Sequence, residues 1–331
     1  MSSIREVAKL AGVSPATVSR VMNGTANVVP EKRERVLAAI AQTDFVPNEV
    51  ARTLFKKSAK TIGLIIPTIR NPYFTQLADL LDALAEQNGY RLSLYNVGRD
   101  PEKQRAAIQM LVAANADGVI YAAETDVLHE PLKSCPIPVV ALDTRLSGEY
   151  AQACIYADYY QGARLAVEHL LDCGCKSIVC IKGPQQVYSA RCRYEAYRDV
   201  CCERELAEQT VTCEYDFGEG LAVTETLLEK FPEVDGILAC NDIVAISAYK
   251  VLHQRKIAVP QQIQLVGFDD IDLSTLMSPE LTTVRQPLRE MAEKAMEQLI
   301  RRDHETEMKK EFMFPVVLIQ RETTKRRGTE Q

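Results

Sequence analysis

Four polar residues stand where apolar, strand-like runs end, and they point to binding chemistry rather than bond-breaking chemistry. Asn71 follows the run 61–67, Asp143 closes 137–143, Asn241 closes 234–241 and Asp269 closes 262–269. Any one of them is ordinary turn chemistry, because Asn and Asp hydrogen-bond their own backbone. Four at equivalent places predict a polar cleft holding a small ligand. Reaction chemistry lacks its parts. No nucleophile elbow, P-loop or Gly-x-Gly-x-x-Gly occurs, and no carboxylate pair has a positioned His. Four His and ten scattered Cys without a C-x-x-C pair offer neither a zinc set nor a disulfide framework. The chain is therefore read as a non-enzyme without cofactor or metal, its thiols reduced in the cytoplasm.

A second set of residues points to a polyanion. In the stretch IREVAKLAGVSPATVSRVMN from Ile4 to Asn23, Ile4, Val7, Ala8 and Ala11 share a helical face. Gly12 supplies the positive φ of a tight turn, and Ser14 with Pro15 marks a helix start. Val18, Val21 and Met22 pack the second helix back, leaving Pro15, Ala16, Thr17, Ser19 and Arg20 outward. Two helices on a Gly turn make a helix-turn-helix, whose second helix fits a major groove; an ordinary helical hairpin is the bland alternative. Charge decides between them. Residues 1–60 carry ten Lys/Arg against five Asp/Glu, a net of +5, whereas the whole chain carries −6, which leaves −11 for residues 61–331. A basic head on an acidic body is the footprint of a nucleic-acid module.

These residues need elements to hold them. Residues 30–42 read as a third helix with Val36, Leu37 and Ile40 inward; Val29 cannot cap it, so its start is expected to fray. Residues 47–60 (PNEVARTLFKKSAK) read as a two-turn helix capped by Asn48, too short to be stable alone, with Lys56, Lys57 and Lys60 leading out of it. An apolar residue such as Leu54 there can wedge between base steps in a minor groove. The bland alternative is a charged linker. From Thr61 on, strands at 61–67, 91–97, 117–122, 137–143, 177–183, 234–241 and 262–269 alternate with helices at 74–88, 102–114, 161–171, 187–202, 221–230 and 242–255. Such alternation predicts parallel sheets covered by helices, with ligands at the carboxyl ends of the strands. Beyond Leu318 the tail is expected to be solvated and disordered. A length of 331 residues implies two or three domains. No run reaches membrane-spanning length, and no secretory h-region opens the chain.

Read in order, IREVAKLAGVSPATVSRVMNG, VPNEVARTL, TIGLIIPTIRNPYF, QIQLVGFDDI and LTTVRQP make the chain resemble the LacI/GalR family of bacterial transcriptional repressors over nearly its full length. The resemblance implies an all-α helix-turn-helix domain (1–46), a hinge helix and linker (47–60), and a two-lobed, periplasmic-binding-protein-like α/β core (61–331). That core would bind effector, dimerise and pass the chain between its lobes three times. The implied partners are a palindromic operator, a small sugar effector and a second copy of the chain, with tetramers in some members. Pro15, Ala16, Thr17 and Arg20 would line the recognition helix, and Ser14 and Ser19 would lie near phosphates. Leu54 would be the wedge, flanked by Lys57. Effector residues carried over are Asn71, Tyr73, Phe74, Asp143, Arg191, Asn241, Asp269 and Gln286. This set is most similar to that of ribose binders and implies an operator released by ribose or a related pentose. One departure stands out: ribose binders place Asp and Arg adjacent, whereas Thr144 separates Asp143 from Arg145. A purine-corepressed or catabolite-control regulator is the alternative within the family, since Tyr73 and Phe74 suit a purine equally. A cytosolic sugar-binding protein or cleft enzyme is the alternative outside it.

Overall fold

The computed structural model describes residues 3–22, 28–43, 58–123, 130–133, 135–146, 150–300 and 310–325. The chain divides into two compact units, Met1–Ala59 and Lys60–Gln331.

The first unit contains helices α1 (Ile4–Ala11), α2 (Pro15–Met22) and α3 (Pro30–Thr43). A capping box opens α1: the Ser3 N–H donates to Glu6 Oε2 at 2.7 Å and the Glu6 N–H to Ser3 Oγ at 3.3 Å. Gly12 ends it at φ 61°, a left-handed conformation open to glycine at little cost. Ser14 Oγ then accepts the Thr17 N–H at 3.2 Å and starts α2. Val7, Ala8, Ala11, Val18, Val21, Val36 and Ala39 form the small shared core. Leu37 does not join them and is 52% exposed. The inward arc of α3 runs from Val36 to Ala39, and Leu37 is turned about 100° away from Val36. At the start of α3 the Val29 carbonyl accepts the Lys32 and Arg33 N–H groups at 3.0 and 3.1 Å, the helix's own first bonds, and the Val29 side chain adds no cap to them. Residues 44–57, which carry Leu54, Lys57 and most of the expected hinge, lie outside the described residues.

The second unit holds two six-stranded sheets. Strands β1 (Thr61–Ile66), β2 (Arg91–Asn96), β3 (Gly118–Tyr121), β4 (Val139–Leu142), β5 (Ala153–Ala157) and β11 (Lys310–Phe314) form the first, all parallel, in the order β11-β5-β4-β3-β1-β2. The second contains β6 (Ile178–Lys182), β7 (Gln209–Thr212), β8 (Gly236–Ala239), β9 (Gln264–Asp269), β10 (Thr282–Arg285) and β12 (Val317–Ile319). Its order is β12-β10-β9-β8-β6-β7, and only β12 runs antiparallel. Central strands such as β1 and β8 are buried along nearly their whole length, as sheets covered on both faces require. The covering helices are α4 (Pro72–Gln87), α5 (Pro101–Ala113), the short α6 (Glu130–Lys133), α7 (Tyr159–Asp172), α8 (Tyr188–Glu203), α9 (Phe217–Lys230), α10 (Asp242–Gln254) and α11 (Leu288–Ile300).

The order of elements makes the chain cross between lobes three times: after β5 into α7, after β10 into α11, and from β11 to β12. Gly162 lies just past the first crossing, where a Cβ would meet the Phe268 ring at 2.8 Å. The end of the chain is tied down rather than loose as far as Lys325. Thr323 Oγ1 donates to the Leu265 carbonyl at 2.7 Å, Thr324 pairs with His169 Nε2 at 2.8 Å, and both threonines are buried. Two polar side chains that satisfy buried groups of β9, β10 and α7 outweigh the polar composition that suggested a solvated tail.

Candidate functional site

The carboxyl ends of both sheets face one cavity of about 340 Å³. Four of the residues that line it are set by caps and turns. Asn71 caps α4, its Oδ1 accepting the Tyr73 N–H at 3.1 Å, and Asn241 caps α10 by accepting the Val244 N–H at 2.9 Å. Asp143 and Asp269 hold left-handed backbone at φ 62° and 117°, uncommon for residues with a side chain. Each leaves its strand end sharply enough to point its carboxylate along the cleft.

Hydrogen bonds link these groups across both lobes. Asp143 Oδ1 accepts the Tyr159 hydroxyl at 2.6 Å and the Tyr73 hydroxyl at 2.9 Å. The Tyr73 hydroxyl also reaches Gln286 Oε1 at 3.4 Å, and Gln286 Nε2 donates to Asp269 Oδ1 at 2.8 Å. Arg193 completes the chain from α8, donating to Asp269 Oδ1 at 3.3 Å and to the Cys240 carbonyl at 2.6 Å. Its guanidinium lies 3.7 Å from the centre of the Phe268 ring, a cation–π contact that also fixes its plane. Tyr159 and Gln286 sit in the first and second crossings, so the network is built into the hinges between the lobes.

Burial dominates the electrostatics. It pushes Asp269 up to about 8, with the Arg193 charge opposing it, and raises Asp143 against the hydrogen bonds from Tyr159 and Tyr73. Tyr73 and Tyr159 are raised by burial and then by the Asp143 charge. Arg193 is held protonated despite its burial by Tyr215, Asp269 and Asp143. Two carboxyls that burial makes hard to ionise thus flank one protonated guanidinium. Asn241 Nδ2 and Arg193 Nε are buried there without an acceptor among the described residues. Groups so placed can donate to a ligand's oxygens, and the carboxyl oxygens can accept from its hydroxyls. Neutral polyols carry both.

The site residues expected from the sequence fall into three groups. Asn71, Tyr73, Phe74, Asp143, Asn241 and Asp269 line the cavity together. Gln286 does not line it but braces Tyr73 and Asp269 from behind. Arg191 is elsewhere: its guanidinium donates to the Gln185 and Gln186 carbonyls at 3.3 and 3.2 Å. Residues two apart on a helix differ by about 200°, so α8 cannot aim both Arg191 and Arg193 at the cleft. Arg145 turns from the cavity to Glu311 of β11, at 2.9–3.1 Å, with Thr144 buried beside it. Tyr159, Arg193, Tyr215 and the mouth residues Arg70, Arg99, Glu214 and Asp216 were not foreseen from the sequence.

In the first unit, Ser14, Pro15, Ala16 and Arg20 are exposed and Thr17 and Ser19 half-exposed along the outer side of α2. Small residues at the start of the helix let its backbone approach a groove floor, with Arg20 one turn further on.

Comparison with known proteins agrees with both parts. Residues 3–48 match the model of bacterial regulatory proteins of the lacI family, and residues 167–324 match a periplasmic binding protein-like domain. A ribose operon repressor of Halalkalibacterium halodurans is 39% identical over 326 residues, covering 98% of each chain. An HTH-type transcriptional repressor PurR of Haemophilus influenzae is 32% identical over 91% of each. Among solved structures, a lac repressor dimer bound to operator and an anti-inducer superposes with a TM-score of 0.88 at 27% identity, over 97% of this chain and 98% of that one. A periplasmic binding protein/LacI transcriptional regulator from Alkaliphilus metalliredigens, complexed with D-xylulofuranose, gives 0.74 at 31% identity over 81% of this chain and 100% of that one. With a full-length relative this similar and its head matched by the family model, the chain belongs to the lacI family of bacterial regulatory proteins.

Proposed function

We propose that the protein represses a ribose or related pentose operon and leaves its operator when the free sugar fills the cleft. The observation that carries this reading is the cavity itself. Asp143, Asp269, Arg193 and Asn241 converge from both lobes and set acceptors beside donors, which suits the alternating hydroxyls of a small neutral sugar. The Halalkalibacterium relative favours ribose, and the furanose-bound structure favours a five-carbon ligand.

The mechanism follows from differential affinity. A sugar held by Asp143 on the first lobe and Asp269 on the second binds the closed arrangement better than an open one, and only that difference can shift the equilibrium. The first lobe receives the chain from residues 47–60, so its movement would respace the two hinges of a homodimer and loosen the mutual packing a two-turn helix needs. In this reading Pro15, Ala16, Thr17 and Arg20 read base edges, Ser14 and Ser19 hold phosphates, Leu54 wedges the minor groove and Lys57 neutralises the backbone. The operator would be a palindrome matched to the dimer's two-fold axis.

The Haemophilus relative favours a second reading, a purine corepressor. Titration calorimetry with D-ribose, D-xylose, hypoxanthine and guanine separates the two. Saturable heat with ribose and none with purines is the outcome of the pentose reading; heat with a purine alone overturns it.

A further inference from the structure

Two ion pairs stand at the rim of the cavity, each joining one lobe to the other. Arg70, in the turn between β1 and α4, meets Asp216 at 3.2 Å, and Arg99, between β2 and α5, pairs with Glu214. Both acids lie between β7 and α9 of the second lobe. All four residues line the same cavity as Asp143 and Asp269. Their supports are firm. Asp216 caps α9 through Oδ1, which accepts the Gly218 and Glu219 N–H groups at 2.8 and 3.2 Å, leaving Oδ2 for Arg70. The Arg70 N–H donates to Thr68 Oγ1 at 3.0 Å, and Arg99 lies between Gly98, at φ 64°, and Asp100, the cap of α5.

We propose that Arg70–Asp216 and Arg99–Glu214 form a charged lock that limits the effector to a free monosaccharide lying wholly behind it. Because the partners come from opposite lobes, the pairs can form only when the cleft is shut. A disaccharide would protrude through the mouth and hold them apart. A phosphate ester would bring its charge up against Glu214 and Asp216, and both guanidinium groups are already engaged. Exposed pairs contribute little singly, and the mouth residues range from 32% to 78% exposed. The lock therefore acts on how long the cleft stays shut more than on the stability of the fold. It rests on the sugar reading for the ligand's class but not for its own existence.

Charge reversal tests it in the full-length protein. Hydrogen exchange of segments 67–70, 97–100 and 213–217, followed without ligand, reports closure itself. Arg99→Glu should speed exchange in these segments, as should Glu214→Arg, and the double swap R99E/E214R should restore the parent rates. Ribose dissociation by stopped flow should follow the same order: about ten-fold faster in each single variant and near parent in the swap. Ribose 5-phosphate and a ribose-containing disaccharide should not bind the parent, and E214R should gain binding of the phosphate ester. The lock is overturned if single variants and swap exchange alike, or if the parent takes the ester as tightly as ribose. Failure of ribose to bind, with the exchange pattern intact, would count against the pentose reading and leave the lock standing.

Discussion

Asp269 concentrates the chemistry of the cleft. Burial raises it to about 8, whereas an Asp in an unfolded chain titrates near 3.9. Between those values the ligand-free fold holds a proton that the unfolded chain has lost, so this group lowers stability as pH rises from about 4 to 8. A sugar whose hydroxyls donate to the carboxylate favours the ionised form, so binding should release a proton. Affinity for ribose should then rise with pH by up to about ten-fold per unit and level off above pH 8. Calorimetry in two buffers of different ionisation enthalpy reads the released proton directly. In Asp269→Asn the dependence should flatten and affinity should fall. A pH-independent affinity in the parent would mean that the carboxyl does not ionise on binding. Asp143, Asn241 and Asp269 were legible as cavity-lining residues because each ends an apolar run, and Asn71 because it follows one. Asp242 gave no comparable signal, although it is fully buried and holds Thr283, Ser274 and the Ile271 N–H together. Its role depends on contacts 29 to 41 residues away, which no local pattern records.

Helical phase explains why the arginine was misplaced. Arg191 and Arg193 both lie in the first two turns of α8, and motif similarity alone does not decide which one faces inward. The buried face of α8 runs through Ser189, Arg193, Ala196, Tyr197 and Val200, and Arg191 is off it. Arg193→Ala should therefore cost at least a hundred-fold in sugar affinity, since it removes a donor from the cavity and the cationic partner of Asp269, leaving the Gln286 amide in place of a charge. Arg191→Ala should leave affinity within about two-fold, because its guanidinium bonds loop carbonyls and the residue is not part of the cavity lining. Binding isotherms of both variants against the parent check this, and equal losses would contradict the assignment. Strands with long apolar runs, β1, β4, β8 and β9, stood out in the sequence. Strand β7 (QTVT) did not, being a half-buried edge, nor did β10 (TTVR), whose threonines are buried only because Asp242, Thr323 and Thr324 satisfy them. Hydroxyl residues of this kind read as loop until their partners are known.

At the scale of the whole molecule, a basic head carries the helix-turn-helix and a two-lobed body carries the cleft, and the claim that matters is the coupling proposed between them. The helix-turn-helix and the alternating body were both legible from charge and periodicity, because each is set by local pattern. The three crossings are not local. They place Tyr159 and Gln286 at the crossings between the lobes, hydrogen-bonded to Asp143 and Asp269, so in the proposed reading a ligand in the cleft would act on these crossings directly. Reciprocity then requires that operator binding weaken sugar binding by the same factor that sugar weakens operator binding. The most direct test is operator binding by fluorescence anisotropy, at one fixed salt concentration, with D-ribose titrated in and the parent compared with Asp269→Asn. Ribose should weaken operator binding by the parent between about 5- and 150-fold, a coupling of about 1–3 kcal/mol, and leave the variant on its operator. Operator affinity that ribose leaves unchanged, or that hypoxanthine or guanine tightens, would contradict the account.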